Sequence, residues 1–193
     1  MTTKLLIAAV QRPAAGQMVC GDVYQVLRQG VRTVVVVADG LGHGQEAAAA
    51  AADFCRVAGV AAHQGIEHAM HSAHQQLRGS RGAAAAILRF DEERYELQFT
   101  GVGNIEMQTI SRAAISPVSV PGIVGQRILK IKAFTYPLAP GDLLVVYSDG
   151  VSQRFNLASH QHLDVDGIAH AIMAKHGKAH DDATCVVIRI DRH

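Results

Sequence analysis

Two of the most apolar segments of this sequence end in the same pair of residues, an aspartate followed by a glycine. Val34 to Ala38 contains no polar residue and runs into Asp39-Gly40, and Leu143 to Tyr147 leads through Ser148 into Asp149-Gly150. Short, unbroken apolar runs of this kind are typical of strands that are buried on both faces. Aspartate is depleted within strands and costly to bury alone. The chain is therefore expected to form a buried β-sheet with carboxylates at the ends of its central strands.

A third acidic pair, Asp181-Asp182, precedes the apolar segment Ala183 to Ile190. Strand ends bring residues that are distant in sequence together, and three carboxylates at one edge would need compensating positive charge, which a divalent cation supplies. The candidate ligands are all oxygen atoms, which favours Mg²⁺ or Mn²⁺ over zinc. A glycine after the aspartate would let a metal or its water approach the backbone closely. The alternative that each aspartate simply caps a turn stays open, because Asp-Gly is a common turn dipeptide.

Length and composition limit the class of protein. A chain of 193 residues, of which 49% are hydrophobic and 18% charged, is expected to fold as one domain spanning residues 1–193. A formal net charge of +1 and an aromatic content of 5% without tryptophan speak against a nucleic-acid-binding surface. The longest apolar stretches are far shorter than the roughly 18 residues of a membrane span. We therefore expect neither a nucleic acid nor a membrane as a partner.

The cysteines and the N-terminus indicate the compartment. Cys20, Cys55 and Cys185 are far apart and form no Cys-x-x-Cys pair, so neither a zinc site nor a disulfide framework is expected. The short apolar run from Met1 to Val10 is followed by Gln11-Arg12-Pro13 and predicts a strand, not a signal peptide. These features together predict a cytoplasmic protein.

Hydrophobic periodicity predicts the order of the secondary-structure elements. The expected strands are Lys4–Val10, Met18–Leu27, Val31–Ala38, Ala83–Phe90, Arg94–Thr100, Ile105–Ile110, Ile128–Tyr136, Leu143–Tyr147 and Ala183–Ile190, and the expected helices are Gln45–Ala62, Ile66–Leu77 and Asp164–Lys175. This order predicts an α+β sandwich in which helices cover antiparallel sheets.

Five short motifs resemble those of the metal-dependent PPM (PP2C-like) protein phosphatases, and they occur in that family's order along nearly the whole chain. They are Cys20-Gly21-Asp22, expected in a strand, Val36 to Gly44, Gly101 to Asn104, Tyr147 to Val151 and Asp181 to Thr184. The Asp-Gly-Leu-Gly-His-Gly form and the short chain look most like the bacterial sporulation and stress-response branch, which includes the stand-alone feedback phosphatases of stressosomes.

The resemblance implies a four-layer αββα sandwich with a binuclear Mn²⁺ or Mg²⁺ site at one end. Asp39 would bridge the two ions, the carbonyl of Gly40 would hold one of them, and Asp149 and Asp181 would hold the other. Asp22 would orient metal-bound water. The implied activity is that of a protein serine/threonine phosphatase in which a metal-activated hydroxide attacks phosphorus in line. No cysteine nucleophile is then required.

The sequence departs from the wider family at two positions. Eukaryotic-type members carry a histidine directly after the Asp-Gly pair as the usual candidate general acid, and Leu41 stands there in this chain. His43 could act through a water, with packing or capping at the helix start as the alternative. The phosphate-binding arginine of the eukaryotic branch has no secure counterpart, and Arg12 is the nearest candidate, with a solvated loop arginine as the alternative.

The resemblance also implies a substrate class, namely phosphoserine or phosphothreonine on STAS-domain proteins of a stressosome-like complex, bound transiently by a monomeric enzyme that resets a stress signal. The scarcity of aromatic residues fits this class, because it leaves no ring-stacking pocket for nucleotides or phosphotyrosine. Two alternatives remain. One is a non-catalytic interaction module on the same scaffold, which would be expected to lack the metal carboxylates. The other is a nucleotide-binding module, against which the glycine spacing after Gly40 and the absence of a following βαβ unit argue.

Overall fold

The computed structural model of the chain describes residues 3–192. These residues form eleven strands, three α-helices and one short 3₁₀ helix. The strands are β1 (Thr3–Arg12), β2 (Asp22–Gln29), β3 (Arg32–Gly40), β4 (Ala83–Asp91), β5 (Glu96–Val102), β6 (Glu106–Ile110), β7 (Gly122–Ile123), β8 (Arg127–Ile128), β9 (Ala133–Pro137), β10 (Leu143–Tyr147) and β11 (Ala183–Arg192). The helices are α1 (Gln45–Ala61), α2 (Ile66–Gln76) and α3 (Val165–His176), and the 3₁₀ helix is Leu157–His160.

Two antiparallel sheets lie face to face between layers of helices. One sheet has the strand order β1-β11-β10-β6 and the other β2-β3-β4-β5-β9, and β7 and β8 form a small separate hairpin. Helices α1 and α2 pack on the five-stranded sheet, and α3 packs on the four-stranded sheet. The predicted α+β fold with four αββα layers is confirmed.

Alternation along β3 explains its unbroken run of valines. Val34, Val36 and Ala38 pack against α1 and α2, whereas Val35 and Val37 pack against the other sheet. Both faces of the strand are covered, so every position must be apolar. Strand β10 follows the same rule, since alternate residues face the second sheet and α3.

Small residues bring α1 close to the sheet. Ala47, Ala51 and Ala58 are fully buried on the helix face that packs against β2 and β3. At Gly59, a methyl group would lie 2.8 Å from Cδ1 of Leu27, closer than carbon atoms can pack. The run of alanines thus allows the helix to approach the strands that carry Asp22 and Asp39.

The sequence-based prediction was wrong at two strands. The segment predicted as Met18–Leu27 begins only at Asp22, so Cys20 and Gly21 lie in a loop, where the carbonyl of Gly21 accepts a hydrogen bond from the amide of Gly40. The segment predicted as Ile128–Tyr136 is interrupted, because β8 pairs with β7 whereas β9 pairs with β5. The period-two pattern of apolar residues continues through this segment, so it does not show that the two strands pair with different neighbours.

Within residues 3–192, no helix is both long enough and apolar enough to cross a membrane.

Candidate active site

The ends of four strands meet around one cavity of about 670 Å³. Asp39, at the end of β3, Asp149, directly after β10 and Ser148, and Asp181, just before β11, all line it. The other residues that line it are Ala14, Leu41, Gly42, His43, Ala84, Gly103, Asn104, Ser119, Pro121, Gly122, Ile123 and His180. The structure therefore brings together the three carboxylates that the sequence singled out.

Asn104, in the turn after β5, connects two of these carboxylates. Its Nδ2 donates a hydrogen bond of 2.6 Å to Oδ2 of Asp149, and its amide also hydrogen-bonds Asp39. Asn104 belongs to the Gly-x-Gly-Asn motif, but nothing in its local sequence assigned it a function. Its position shows that it orients the carboxylates relative to each other.

Asp22 lies beneath the cavity, directly opposite Asp39 in the pairing of β2 with β3. It is buried, and its Oδ2 accepts a hydrogen bond of 2.6 Å from the hydroxyl of Ser148, which in turn accepts one of 3.0 Å from the amide of Thr184. Within the described residues its Oδ1 has no hydrogen-bond partner. Ser148 thus holds one oxygen of Asp22 in place and leaves the other free. Sequence analysis assigned no part to Ser148.

The crowding of carboxylates changes their protonation. Burial, followed by the charges of Asp22, Asp149 and Asp181, raises the pKa of Asp39 to about 8. Burial raises the pKa of Asp22 to about 6, although the hydrogen bond from Ser148 lowers it. The protein alone does not offset the negative charge of this cluster.

The residues fit a divalent cation of the Mg²⁺ or Mn²⁺ type. The donors are carboxylate, amide and carbonyl oxygens. Burial first, and then the charges of neighbouring carboxylates, raise the pKa of Asp39, and a bound cation would favour its charged form. No three His, Cys, Asp or Glu side chains of residues 3–192 form a ready-made metal-binding cluster. Binding an ion would therefore require these carboxylates to turn toward it, and their role as ligands stays a prediction.

Asp181 and Asp182 have different environments. Asp181 lines the cavity, whereas Asp182 is buried and accepts a hydrogen bond of 2.9 Å from the amide of Ala14 at its Oδ1. Its Oδ2 lies where a methyl group at Gly21 would be only 2.6 Å away. This geometry favours Asp181 over Asp182 as the candidate ligand.

The two glycines that follow the aspartates are required by backbone packing. A methyl group at Gly40 would lie 1.9 Å from the carbonyl oxygen of Ala47 in α1, and one at Gly150 would lie 1.8 Å from the carbonyl oxygen of Asp182. Gly40 is buried and does not itself line the cavity, although its neighbours Asp39 and Leu41 do. The Asp-Gly pairs therefore allow main chains to meet closely beside the carboxylates, which sequence analysis did not anticipate.

Gly40→Ala is accordingly expected to destabilise the protein by about 3 kcal/mol or more, because its new methyl group would overlap backbone that cannot rotate away. Thermal unfolding measures this as a fall in Tm of about 6–12 °C. Gly16→Ala is the control, because a methyl group there meets nothing within 4 Å and only its positive φ of 84° is strained. Equal Tm values for the two variants would contradict the packing argument.

The candidate general acid and the candidate phosphate-binding arginine differ in whether they line the cavity. His43 and His180 line the cavity, and so does Leu41, whose side chain is exposed. Arg12 lies at the end of β1, where its Nη2 donates a hydrogen bond of 2.8 Å to the carbonyl of Lys178. Arg12 is thus engaged by the backbone and does not line the cavity.

Cys20 is close to the carboxylates but is not a reactive thiol. Burial is the main cause that raises its pKa to about 12, and its Sγ donates a hydrogen bond of 3.4 Å to the carbonyl of Arg12. Cys20→Ser is expected to retain at least half of the phosphatase activity, because the thiolate is not populated near neutral pH. The initial rate of phosphate release measures this, and a loss of a hundredfold or more would indicate a thiol nucleophile.

Two stacked antiparallel sheets between helical layers, with carboxylates gathered at one end of the sandwich, define the PP2C-like class of protein phosphatases. Residues 29–191 match the family Stage II sporulation protein E (SpoIIE), and the chain belongs to that family. The resemblance that the motifs indicated is therefore confirmed, and the chain is an enzyme of the PP2C-type phosphatase class.

Individual relatives agree with this assignment. Phosphoserine phosphatase RsbX of Bacillus subtilis strain 168 is 25% identical over 139 residues, which are 71% of this chain and 70% of RsbX. A chain from the structure of the bacterial stressosome, a modular system that has been adapted to control secondary messenger signaling, is 32% identical and superposes with a TM-score of 0.91, covering 96% of this chain and 100% of that chain.

Two further structures share the fold. RsbX in complex with magnesium superposes with a TM-score of 0.87 at 22% identity, covering 97% of this chain and 96% of that chain. The PP2C phosphatase domain of SpoIIE from Bacillus subtilis, solved with a fragment of its regulatory domain, gives a TM-score of 0.82 at 20% identity, covering 100% of this chain and 65% of that chain. The PP2C phosphatases to which this fold belongs are metal-dependent enzymes.

Proposed function

We propose that this enzyme hydrolyses phosphoserine or phosphothreonine on STAS-domain proteins of a stressosome-like complex and thereby resets a stress signal. The observation that carries the proposal is the single cavity lined by Asp39, Asp149 and Asp181. The similarity to a phosphoserine phosphatase and to a chain of the stressosome supports the choice of substrate.

In this proposal Asp39, Asp149, Asp181 and the carbonyl of Gly40 would hold two Mn²⁺ or Mg²⁺ ions, and Asp39 would be the ligand that both ions share. When bound, such ions lower the pKa of water and offset the negative charge of the phosphoryl group. Two observations support this assignment: the three carboxylates lie next to the ends of β3, β10 and β11, and the amide of Asn104 binds Asp149.

The chain's own residues would orient the attacking water and the leaving group. Asp22 is held by Ser148 through one oxygen, and its second oxygen, which is buried and has no hydrogen-bond partner among the described residues, would accept a hydrogen bond from a water. Leu41 cannot donate a proton, so His43, which lines the cavity, is the candidate that could protonate the leaving serine oxygen through a water. These contributions are positioning and proton transfer, which phosphoryl transfer chiefly demands of a protein.

The cavity supports a protein substrate better than a small one. Within the described residues, its lining contains no phenylalanine, tyrosine or tryptophan to stack on a nucleobase or a phosphotyrosine. Selectivity must then come from the surface around the cavity, which a folded partner could contact.

The experiment is phosphate release from a panel of phosphorylated STAS-domain proteins with and without Mn²⁺. We expect release that depends on Mn²⁺, is abolished by EDTA, and is much faster for one or a few members of the panel. An unrelated phosphoserine protein serves as the control substrate. Tight binding to a STAS protein without any release of phosphate would instead identify a non-catalytic interaction module.

A further inference from the structure

The cavity described above would receive an anionic substrate, yet its lining contains no lysine or arginine among residues 3–192. An incoming phosphorylated segment would approach a wall of carboxylates. Ions held by these carboxylates would attract the phosphoryl group itself, so any protein cation that contacts the residues around it must lie at the rim, outside the lining. Arg81, in the loop before β4, occupies such a position.

The guanidinium of Arg81 lies against the turn that follows Asp39. A methyl group at Gly42 would be 2.8 Å from Nη1 of Arg81, and Gly42 lines the cavity together with its neighbours Leu41 and His43. Arg81 itself does not line the cavity, and its side chain is 45% exposed. A group bound to the guanidinium would thus sit beside Gly42, at the mouth of the cavity.

Several contacts hold Arg81 in this place. Its Nε donates a hydrogen bond of 2.5 Å to Oε2 of Glu46 in the first turn of α1. Its carbonyl accepts a hydrogen bond of 2.6 Å from Nε2 of Gln126, and the next residue, Gly82, accepts one of 3.0 Å from the amide of Leu41. The loop is therefore joined to the wall of the cavity, and the guanidinium is oriented before substrate binds.

Other charged groups near the site are engaged by the backbone, are paired or lie elsewhere, whereas within residues 3–192 the guanidinium of Arg81 is bonded through Nε alone, to Glu46. Arg12 donates to the carbonyl of Lys178, and Nζ of Lys178 donates a hydrogen bond of 2.5 Å to the carbonyl of Asp149. Arg154 lines a separate, smaller cavity that shares Asp149. Asp53, which shares a groove with Arg81, is paired with Arg56 at 2.8 Å.

We propose that Arg81 binds an acidic side chain of the protein substrate that flanks the phosphorylated residue, and so selects substrates with acidic sequence around the phosphosite. A guanidinium offers a planar pair of donors that matches a carboxylate. The inference rests on the proposed phosphatase function, and it adds the substrate feature that the rim of the cavity recognises.

The test compares two phosphoserine peptides that differ only in having glutamate or glutamine at the positions flanking the phosphoserine. The wild-type enzyme is expected to hydrolyse the glutamate peptide with a kcat/KM about tenfold higher, as one charge-assisted contact allows. Arg81→Gln is expected to hydrolyse the two peptides equally. The wild-type enzyme and Arg81→Gln should hydrolyse p-nitrophenyl phosphate at the same rate, because this compound has no flanking residue.

Two control variants separate binding from a structural role. Glu46→Gln removes the same surface ion pair but keeps the guanidinium, so it should keep most of the preference for the glutamate peptide. Arg78→Gln removes the same charge from an exposed position three residues away and should behave as wild type. If Glu46→Gln lost the preference as completely as Arg81→Gln, Arg81 would merely tie its loop to α1, and the proposal would be wrong.

Other outcomes would overturn the proposal as well, namely a wild-type enzyme without preference, a preference that survives in Arg81→Gln, or an equal loss of activity toward p-nitrophenyl phosphate. Failure of the wild-type enzyme to release phosphate with Mn²⁺ both from these three compounds and from every member of the STAS-domain panel would instead contradict the proposed function. Binding of the acidic side chain by Arg81 would then be tested through the Kd values for non-hydrolysable phosphonate versions of the two peptides. Equal Kd values for these phosphonates in wild type would overturn its assignment.

Discussion

Asp39→Asn is expected to lower Mn²⁺-stimulated phosphatase activity by a factor of about 10³ or more while the fold stays intact. Asp39 lines the cavity with Asp149 and Asp181 and is the residue proposed to lie between the two ions. Asparagine keeps the shape of the side chain but removes the anionic charge that both ions need. Phosphate release at saturating Mn²⁺ measures the loss, and the circular dichroism spectrum reports the fold.

The same substitution is expected to raise stability when metal is absent. Burial and neighbouring carboxylates raise the pKa of Asp39 from 3.8 to about 8 in the folded protein. A carboxyl group with a raised folded-state pKa favours folding while it is protonated, and this contribution is lost as pH rises from about 4 toward 8. Asparagine is never charged, so the variant avoids this loss. In EDTA at pH 8 its Tm should exceed that of wild type by at least about 2–4 °C, the shift that corresponds to ~1 kcal/mol.

Addition of Mn²⁺ should reverse the order of the two Tm values, because an ion that binds the folded state stabilises wild type more than the variant. The control is Asp166→Asn, which removes an exposed carboxylate of α3 and should change neither activity nor the response to Mn²⁺. Full turnover by Asp39→Asn at saturating metal would refute the bridging role. A lower Tm of this variant in EDTA at pH 8 would show that ionisation of Asp39 does not destabilise the metal-free protein.

Much of this fold and part of its site can be inferred from sequence, because buried strands and helices have recognisable patterns of apolar residues. Val34 to Ala38 alternate between two apolar neighbours, so the strand and its burial on both faces are evident from residue type alone. Asp39, Asp149 and Asp181 lie next to such strands. In a β-sandwich the ends of neighbouring strands lie close together at one edge. Their meeting at one cavity therefore follows from the fold class.

Contacts between segments that are distant in sequence produce no comparable pattern of residues. Ser148 and Asp22 are 126 residues apart, and their hydrogen bond depends on how the two sheets stack. The contact of Arg81 with Gly42 likewise depends on the placement of a loop against α1. Local patterns also failed where a loop is held by tertiary contacts, as at Cys20 and Gly21. Such residues orient the site and shape its rim, so specificity is harder to infer from sequence than the class of chemistry.

A folded STAS-domain partner is expected to be hydrolysed with a kcat/KM about 100-fold higher than a short peptide that carries the same phosphosite. The lining of the cavity, within residues 3–192, contains no phenylalanine, tyrosine, tryptophan, lysine or arginine to hold a phosphoserine side chain by itself. Precise alignment for in-line attack must then come from contacts outside the cavity, and a displacement of about 1 Å can reduce a rate about 100-fold. A folded surface can contact several points of the rim at once, whereas a flexible peptide must lose more conformational entropy to do so.

The measurement compares kcat/KM for the intact phosphoprotein, for its excised phosphopeptide, and for the same peptide sequence fused to the end of an unrelated folded protein. The fusion controls for size and diffusion, and it should behave like the free peptide because it lacks the docking surface. The contribution of Arg81 should appear with all three substrates if the phosphosite is flanked by acidic residues, since it depends on local sequence. The remaining difference between phosphoprotein and peptide measures docking. Equal kcat/KM values for all three substrates would confine recognition to the phosphate and its immediate neighbours, and a STAS-specific docking surface would then have to be abandoned.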